Sequence, residues 1–382
     1  MICKIKSKNI ILGNGIFDGY LKIVNGKIAE LCKNDFVADC EYEFGEDFVS
    51  PGFIDIHTHG GGGYDFLSES AEEIAKACDF HLQKGVTSIA PTVSAASIDK
   101  MVSAVKAIKR AKQEKLTKLN IVGAHLEGPY LSKEQSGAQC PSFIKEPQKN
   151  EYEEIIRNFG DYIARWTYAP ETDEDGSFCR FLKENGIVPS AGHTNAKYSN
   201  MLVAKNNGCN LITHLYSCTS TVSRKGGFRS LGVIETAFLE DDLFVEIIAD
   251  GKHLPAELIK LILKIKGDDK VAVVTDSLAL AGTDIKEGVM SGTPFIIEDG
   301  VCKLQDRSAF AGSIATADRL VRVLTQECGV SVVSAVKMIT QVPAEIMGLN
   351  GKGSLEKGFD ADIVVFDKDI NVQAVFIGGN VL

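Results

Sequence analysis

From Phe48 onward, short apolar runs alternate with stretches whose apolar residues recur every three or four positions, as in amphipathic helices. The predicted strands are Phe53–His57, Val86–Thr92, Leu119–Glu127, Ile163–Tyr168, Ile187–His193, Leu211–His214, Phe244–Ala249 and Val271–Asp276. The predicted helices between them include Ala71–Lys84, Ile98–Lys115, Phe178–Asn185 and Ala256–Ile265. Alternating strands and helices form parallel sheets, and eight such strands close a barrel. The pattern therefore predicts an α/β fold with a (β/α)8 TIM barrel over residues 49–345.

Both ends of the chain have a different sequence pattern, in which short β-type runs are separated by turn residues. Asn14-Gly15 and Asn25-Gly26 lie between apolar runs, which is a strong signal for β-hairpins. The last 30 or so residues show the same pattern of short β-type runs and turn residues. We therefore expect residues 1–48 and 346–382 to form one small β-sandwich domain. A long β-hairpin insertion is predicted over Gly282–Phe310, followed by two helices near Thr316–Cys328 and Val332–Thr340.

The composition narrows the class of protein. The chain has 382 residues, a net charge of −10 and 45% hydrophobic residues, which is typical of a folded globular protein. The acidic balance argues against a nucleic-acid partner, because such partners need Lys and Arg facing phosphates. The sequence predicts neither a membrane span nor a signal peptide, so we expect a cytoplasmic protein. The ten cysteines are scattered without a Cys-x-x-Cys pair, which indicates small buried side chains.

Candidate chemistry collects at the carboxyl ends of the predicted strands, where barrels carry their active sites. The residues are His57 with His59, Glu127, His193, His214 and Asp276. Imidazole and carboxylate ligands with an open position suit a divalent ion that binds water and lowers its pKa. A carboxylate such as Asp276 beside that water can accept a proton and return it to a leaving group.

Plainer interpretations stay open at this point. A lone histidine is more often a packed core residue, and Asp276 could cap the turn that follows its strand. His81 falls on a predicted helix and is interpreted as a packing residue. His125 faces the same way as Glu127, so it either supports the site or packs beside it. Phosphate-binding loops, dinucleotide fingerprints and serine nucleophile elbows are missing from the sequence.

The motifs that carry these residues resemble the amidohydrolase superfamily and, within it, the family of N-acetylglucosamine-6-phosphate deacetylases. The resemblance rests on Pro51–Gly60, His125–Pro129, Ala191–Thr194, Thr213–Tyr216, Ile248–His253, Thr275-Asp276, Ala311–Ser313 and the terminal Gly353–Asp362. The His-Leu-Glu-Gly-Pro segment is the most specific, because most members of the superfamily bridge their metals with a lysine on strand four. Glu127 stands where these deacetylases use a glutamate on strand three.

The resemblance implies a metal centre and a proton shuttle. Glu127, His193 and His214 would hold one ion. His57 and His59, together with Asp276, would hold a second. Zn or Fe is implied, with one or two ions per subunit and two favoured because the His-x-His pair is retained. Asp276 corresponds to the general acid/base of the family.

The resemblance also implies a set of substrate-binding residues. They are Ala138, Gln139, Ser217, Cys218, Arg229, His253, Phe310, Ala311 and Gly312. Arg229 would reach the active site of a neighbouring subunit, which implies a homodimer, with Arg224 as the competing choice. Many members have His where Gln139 stands, and Asn-Ala where Ser217-Cys218 stands.

The expected activity is hydrolysis of N-acetylglucosamine 6-phosphate to glucosamine 6-phosphate and acetate, in amino sugar metabolism. One alternative is a different N-acetylhexosamine 6-phosphate, such as the galactosamine epimer, or another amide or ring. A catalytically dead scaffold is the alternative outside enzymes. The expected partners are a small amino sugar phosphate and a second subunit, without nucleic acid or membrane.

Overall fold

The computed structural model describes residues 1–290 and 293–382. The strands are, in chain order, β1 (Ile2–Leu12), β2 (Gly15–Val24), β3 (Lys27–Cys32), β4 (Cys40–Glu43), β5 (Phe48–Pro51), β6 (Phe53–Thr58), β7 (Gly60–Gly61), β8 (Tyr64–Asp65), β9 (Val86–Val93), β10 (Asn120–Ile121), β11 (Ala124–Glu127), β12 (Ile163–Tyr168), β13 (Val188–Ala191), β14 (Leu211–Ile212), β15 (Ser223–Lys225), β16 (Phe228–Ser230), β17 (Phe244–Ile247), β18 (Val271–Val273), β19 (Glu287–Met290), β20 (Thr293–Glu298), β21 (Val301–Leu304), β22 (Phe310–Gly312), β23 (Ile363–Phe366), β24 (Val372–Ile377) and β25 (Asn380–Val381).

The α-helices are α1 (Ala71–Leu82), α2 (Ile98–Gln113), α3 (Lys149–Phe159), α4 (Ser177–Glu184), α5 (Tyr198–Asn206), α6 (Val233–Leu239), α7 (Ala256–Lys266), α8 (Ala317–Arg322), α9 (Val332–Ile339) and α10 (Gln341–Ile346). Helix α2 shows why such segments fold. Ser97 accepts the backbone N–H of Lys100 at its start, and buried residues recur along one face from Met101 to Ala111. Among the described residues, no helix combines the length and apolar character needed to cross a membrane.

The barrel is formed by β6, β9, β11, β12, β13, β14, β17 and β18, which pair in parallel in that order. Two backbone hydrogen bonds join the eighth strand region to the first. The N–H of Asp276 donates to the carbonyl of His57 (2.9 Å), and the N–H of His59 donates to that of Ser277 (2.8 Å). The predicted TIM barrel is therefore confirmed.

Four predicted strands end earlier than the apolar pattern suggested: Phe244–Ala249 ends at Ile247, and the other three end before a candidate ligand. The regular ladders stop at Ala191, Ile212 and Val273, before the polar residues that follow. His193, His214 and Asp276 have positive φ angles of 48°, 29° and 46°, which no strand residue adopts. The apolar pattern extends beyond the ladder because these turns are still packed inside the protein.

The terminal segments form one eight-stranded sheet that contains β1–β5 from the start of the chain and β23–β25 from its end. Its apolar core includes Ile5, Leu21, Val49 and Phe376 from both segments, as expected for the predicted β-sandwich. The turn between β2 and β3 has φ of 49° at Asn25 and 78° at Gly26. Two consecutive positive φ angles are what an Asn-Gly hairpin turn requires. The division of the chain near residues 48 and 346 stays a prediction.

The insertion after the eighth barrel strand is an antiparallel sheet of β19, β20, β21 and β22. A hairpin was predicted here, and the described residues form successive hairpins that end at Phe310–Gly312. Ser291 and Gly292, which fall within the predicted insertion, lie outside the described residues. The last strand of the insertion, β22, lies near the carboxyl ends of the barrel strands, because its residues line the cavity there.

Candidate metal centre

A cavity of about 590 Å³ opens at the carboxyl ends of the barrel strands. The predicted ligands that line it are His59, Glu127, His193, His214 and Asp276. His57 lies just beneath them and is fully buried. A larger groove of about 1260 Å³ lies between the terminal sheet and the barrel, but none of the predicted site residues lines it. We therefore place the chemistry in the smaller cavity, where titratable groups converge.

Glu127 stands at the centre of the cluster and faces four imidazoles with its two oxygens. Its Oε1 lies 3.2 Å from Nε2 of His193 and 3.1 Å from Nε2 of His214. The same oxygen lies 3.3 Å from Nε2 of His57, whereas Oε2 lies 3.2 Å from Nε2 of His59. Three imidazoles therefore face Oε1 and one faces Oε2, so both carboxylate oxygens lie beside potential ligand nitrogens.

Asp276 completes the cluster from the eighth strand. Its Oδ1 lies 3.3 Å from Nε2 of His57 and 3.2 Å from Nε2 of His59. Two groups of potential ligand atoms each fall within 4.8 Å, namely His57, His59 and Asp276, and His57, Glu127 and His214. His193 is in neither group but lies 3.2 Å from Glu127, so the structure brings together all six residues that the sequence predicted as ligands.

The Nδ1 atoms of three of the histidines each have a polar partner. Nδ1 of His193 donates to the carbonyl of Gln135 (2.8 Å), because a carbonyl can only accept. Nδ1 of His59 lies 2.9 Å from the Ser94 hydroxyl. Nδ1 of His57 lies 3.3 Å from the carboxylate of Glu246. With the proton on Nδ1, the Nε2 lone pair of His193 points at Glu127 and at Nε2 of His214, 3.2 Å away. Lone pairs converging on carboxylate oxygens fit a divalent cation.

The pKa shifts of His57, His59 and Asp276 show that the cluster favours positive charge. Burial lowers the pKa of His57 and His59, but Asp276 and Glu127 outweigh it and raise these values to about 9 and about 10. Burial raises the pKa of Asp276, but the facing imidazoles of His57 and His59 hold it well below its usual range. The lowered pKa keeps Asp276 in its carboxylate form near neutral pH.

His125 and His81 occupy supporting positions. Nδ1 and Nε2 of His125 lie 3.0 and 2.7 Å from the hydroxyls of Thr92 and Thr167, and its ring stands edge-on to that of His57 at 4.6 Å. Burial lowers the pKa of His81 to about 4, and its Nε2 donates to the carbonyl of Gly60 (2.9 Å). His125 therefore packs beneath the ligands, and His81 braces the loop after β6.

The candidate substrate residues divide into two places. Those that line the cavity are Ala138, Gln139, Ser217, Cys218, His253, Phe310, Ala311 and Gly312. Arg224 and Arg229 face each other in the exposed ribbon of β15 and β16 instead, and neither is among the residues that line the cavity.

Gln139 is already engaged with the metal cluster. Its Oε1 accepts the backbone N–H of Ala95 (2.9 Å), which orients the amide, and its Nε2 donates to Oε2 of Glu127 (2.5 Å). The residue was expected to donate to a substrate carbonyl. Because an amide nitrogen carries two N–H groups, one remains for that role.

The loop that carries Gln139 approaches Cys218 closely. Gly137 has a φ of 55°, and a Cβ atom there would lie 2.5 Å from Sγ of Cys218. A side chain at Gly137 would therefore push the loop away from the cavity. On the opposite wall, Nδ1 of His253 donates to Asp250 (2.8 Å) and its ring packs 5.1 Å from that of Phe310.

Sequence reasoning missed three charged residues near the site. Lys100 lines the cavity, and Arg165 and Glu246 lie buried inside the barrel beneath it. The signal for the buried pair was a charged residue in the middle of an apolar strand, at Ile163–Tyr168 and Phe244–Ile247. The signal for Lys100 was only its place in the first turn of the helix that follows the second barrel strand.

Comparison with known proteins agrees with this geometry. The sequence profile of the Amidohydrolase family matches residues 48–382, and the chain belongs to this family. It is 30% identical over 387 residues to the N-acetylglucosamine-6-phosphate deacetylase of Bacillus subtilis, covering 99% of this chain and 96% of the relative. The predicted resemblance is confirmed.

Two further relatives extend the comparison. The crystal structure of N-acetylglucosamine-6-phosphate deacetylase from Pasteurella multocida superposes with a TM-score of 0.93 at 28% identity, covering 100% of both chains. The N-acetylgalactosamine-6-phosphate deacetylase of Escherichia coli O157:H7 is 25% identical over 378 residues, covering 98% of each chain. Both relatives act on N-acetylhexosamine 6-phosphates.

Proposed function

We propose that this protein hydrolyses the acetamide of N-acetyl-D-glucosamine 6-phosphate, releasing D-glucosamine 6-phosphate and acetate. The observation that carries the proposal is the cluster of four histidines around Glu127, with ionised Asp276 beside it at the cavity floor. The full-length similarity to deacetylases supports the choice of substrate. The reaction belongs to amino sugar metabolism, and we expect the protein in the cytoplasm.

The cluster would hold one or two divalent ions, Zn or Fe, with two favoured. Glu127, His193 and His214 would hold one, and His57 and His59, together with Asp276, the other. Such ions supply a lowered pKa for water and polarisation of the acetyl carbonyl. Their proposed place is the meeting point of the Nε2 lone pairs and carboxylate oxygens described above.

Asp276 is proposed to move the proton. Its carboxylate is ionised at neutral pH, so it accepts the proton of the attacking water and then delivers it to the sugar nitrogen as the amide bond breaks. The free N–H of Gln139 and the ring of His253 would stabilise charge on the acetyl oxygen. Gln139 also holds Glu127 in place through their hydrogen bond.

The remaining cavity residues are proposed to bind the sugar phosphate. Ala138, Ser217 and Cys218 would contact it from the loops above the third and sixth strands. Phe310, Ala311 and Gly312 would form the wall contributed by the insertion. Arg229 would come from a second subunit, which makes the working unit a homodimer.

The test is release of glucosamine 6-phosphate from N-acetylglucosamine 6-phosphate by metal-loaded protein. We expect turnover of the phosphate ester, little turnover of unphosphorylated N-acetylglucosamine, and loss of activity after chelation that returns when Zn²⁺ or Fe²⁺ is added back. No turnover by fully loaded protein would refute the assignment.

A galactosamine epimer is the second candidate. It is favoured by the Escherichia coli relative and by Gln139 and Ser217, which depart from the pattern of the glucosamine-specific family. Measuring kcat/KM for both epimers side by side separates the candidates. A higher value for the galactosamine epimer would keep the chemistry and change the substrate.

A further inference from the structure

The barrel interior contains an ion pair that the proposed ligand set does not explain. Arg165 on β12 and Glu246 on β17 are both 0% exposed, and neither lines the cavity. Removing two charges from water is expensive, so a buried pair seldom stabilises a fold by itself. A pair directly beneath a metal centre can instead orient the ligands above it.

Arg165 is bound on every nitrogen. Nη1 and Nη2 both donate to the carboxylate of Glu246, the second at 2.9 Å. Nη2 also donates to the Thr213 hydroxyl (2.8 Å), and Nε donates to the Ser190 hydroxyl (3.0 Å). The guanidinium is therefore fixed by three barrel strands, and it fixes the plane of the Glu246 carboxylate in turn.

Glu246 presents one of its oxygens to the ligands. Its Oε2 lies 3.3 Å from Nδ1 of His57 and 3.4 Å from the backbone N–H of His214. An ionised carboxylate only accepts hydrogen bonds, so it selects the form of His57 that carries its proton on Nδ1. In that form, the Nε2 lone pair of His57 points toward Asp276 and Glu127, both 3.3 Å away.

Without Glu246, the ring of His57 would favour the tautomer that carries its proton on Nε2. Its Nε2 faces two carboxylates, Glu127 and Asp276, and each would attract the proton to Nε2. A protonated Nε2 has no lone pair to bind a metal. His193 and His59 do not share this dependence, because their Nδ1 atoms face a backbone carbonyl and a serine hydroxyl.

We propose that Glu246, oriented by Arg165, is a positioning residue that holds His57 ready to bind the second metal ion, and so makes the centre binuclear. This rests on the proposed metal-dependent function. The residue touches neither substrate nor reacting atoms, so its effect is on the number and affinity of bound ions.

The test counts metal ions in R165M/E246L, which removes the acceptor that faces Nδ1 of His57 together with the cation that would otherwise be left unpaired. After loading with Zn²⁺ and dialysis, elemental analysis should give two ions per chain for the wild type and one for R165M/E246L. Chelator competition should show the second ion bound about 10–100-fold more weakly.

Two double variants separate positioning from simple loss of structure. In R165M/E246Q the amide is free to turn its oxygen toward His57, so part of the affinity for the second ion should return. R165M/E246L has no acceptor and no buried charge, so it should fold but bind one ion. The comparison of these two double variants therefore carries the test.

D173N is the matched control, because Asp173 is a buried carboxylate that accepts backbone N–H groups at the start of α4 and does not line the cavity. It should retain two ions. Two tight ions in R165M/E246L, equal affinities in the two double variants, or a single tight ion in the wild type would each overturn the proposal. Ion counts do not depend on turnover, so failure of the deacetylase assignment would be seen separately.

Discussion

Three of the residues at the cavity floor have backbone conformations that side chains rarely adopt. His193, His214 and Asp276 all have positive φ, and Asp and His are among the few residue types that tolerate it. The left-handed turn ends each strand and directs the side chain into the cavity. Such strained positions persist where the surrounding structure enforces them, and they are concentrated at functional sites.

The conformation of Asp276 determines which substitution tests its role. Asparagine has the same shape and also tolerates positive φ, so D276N should keep the fold and most of the bound metal. It cannot accept the proton, so kcat should fall by about 10²–10⁴-fold. The measurements are kcat, metal content and melting temperature of the variant and the wild type. Turnover near the wild-type level would show that another group moves the proton.

At the scale of elements, the two ends of the chain depend on a cluster of charges that joins them. Lys352 donates to Asp362 (2.6 Å) and lies 3.0 Å from Asp360, and Asp360 also pairs with Lys27 of β3 (2.6 Å). The second oxygen of Asp362 accepts the backbone N–H of Gly378 (2.9 Å). This cluster fastens the Gly353–Asp362 segment to the terminal sheet.

The cluster should be sensitive to mutation. K352M would leave Asp362 partly buried without its cation, at a cost of about 1–2 kcal/mol, less than for a fully buried pair because water still reaches it. We expect a fall in melting temperature of about 1–3 °C, measured by calorimetry, because the unfolding entropy of a 382-residue chain is large. K368M, at an exposed lysine between β23 and β24, is the control and should change little. Equal melting temperatures for K352M and the wild type would contradict this interpretation.

The pH dependence of the cluster follows from the direction of its pKa shifts. Burial raises the pKa of Asp360, but Lys27 and Lys352 outweigh it and lower the pKa below its usual value. The stabilisation is therefore present above the ordinary carboxyl pKa of about 4 and is lost as the pH falls below it. The difference in melting temperature between the wild type and K352M should shrink between about pH 5 and pH 3.

At the scale of the whole molecule, the cavity itself has little positive charge to balance a dianionic phosphate. Among the described residues that line it, Lys100 is the only Lys or Arg. The ribbon of β15 and β16 carries Arg229 on the surface next to Phe228, whose side chain is 83% exposed. An exposed aromatic residue beside an arginine is typical of an interface, which agrees with an arginine donated to a second subunit.

Mixing two variants with different defects tests this arrangement. R229A should raise KM about tenfold or more, because a hydrogen bond to a charged group is lost, with metal content unchanged. When R229A is refolded or co-expressed with D276N, mixed dimers should regain activity, since the D276N chain supplies Arg229 to the intact proton shuttle of its partner. R224A is the control and should behave like the wild type. Absence of recovery in confirmed mixed dimers would refute Arg229 as a donated residue.

The sequence by itself determined the barrel and the residues at its centre. Apolar runs of strand length recur with helical periods between them, and parallel strands put their carboxyl ends at one edge, so His57, Glu127 and Asp276 had to meet. The β structure of the two terminal segments could also be predicted, because Asn-Gly turns allow few conformations. These features depend on local periodicity and on chain direction, which the sequence contains directly.

Only the tertiary structure decided which groups support that centre. Arg165 and Glu246 are 81 residues apart, and their pairing depends on the curvature that brings β12 and β17 to one interior. The hydrogen bond from Gln139 to Glu127 likewise depends on how a loop folds over the cavity. Such contacts arise from the summed packing of distant segments, and no local pattern of residues specifies them.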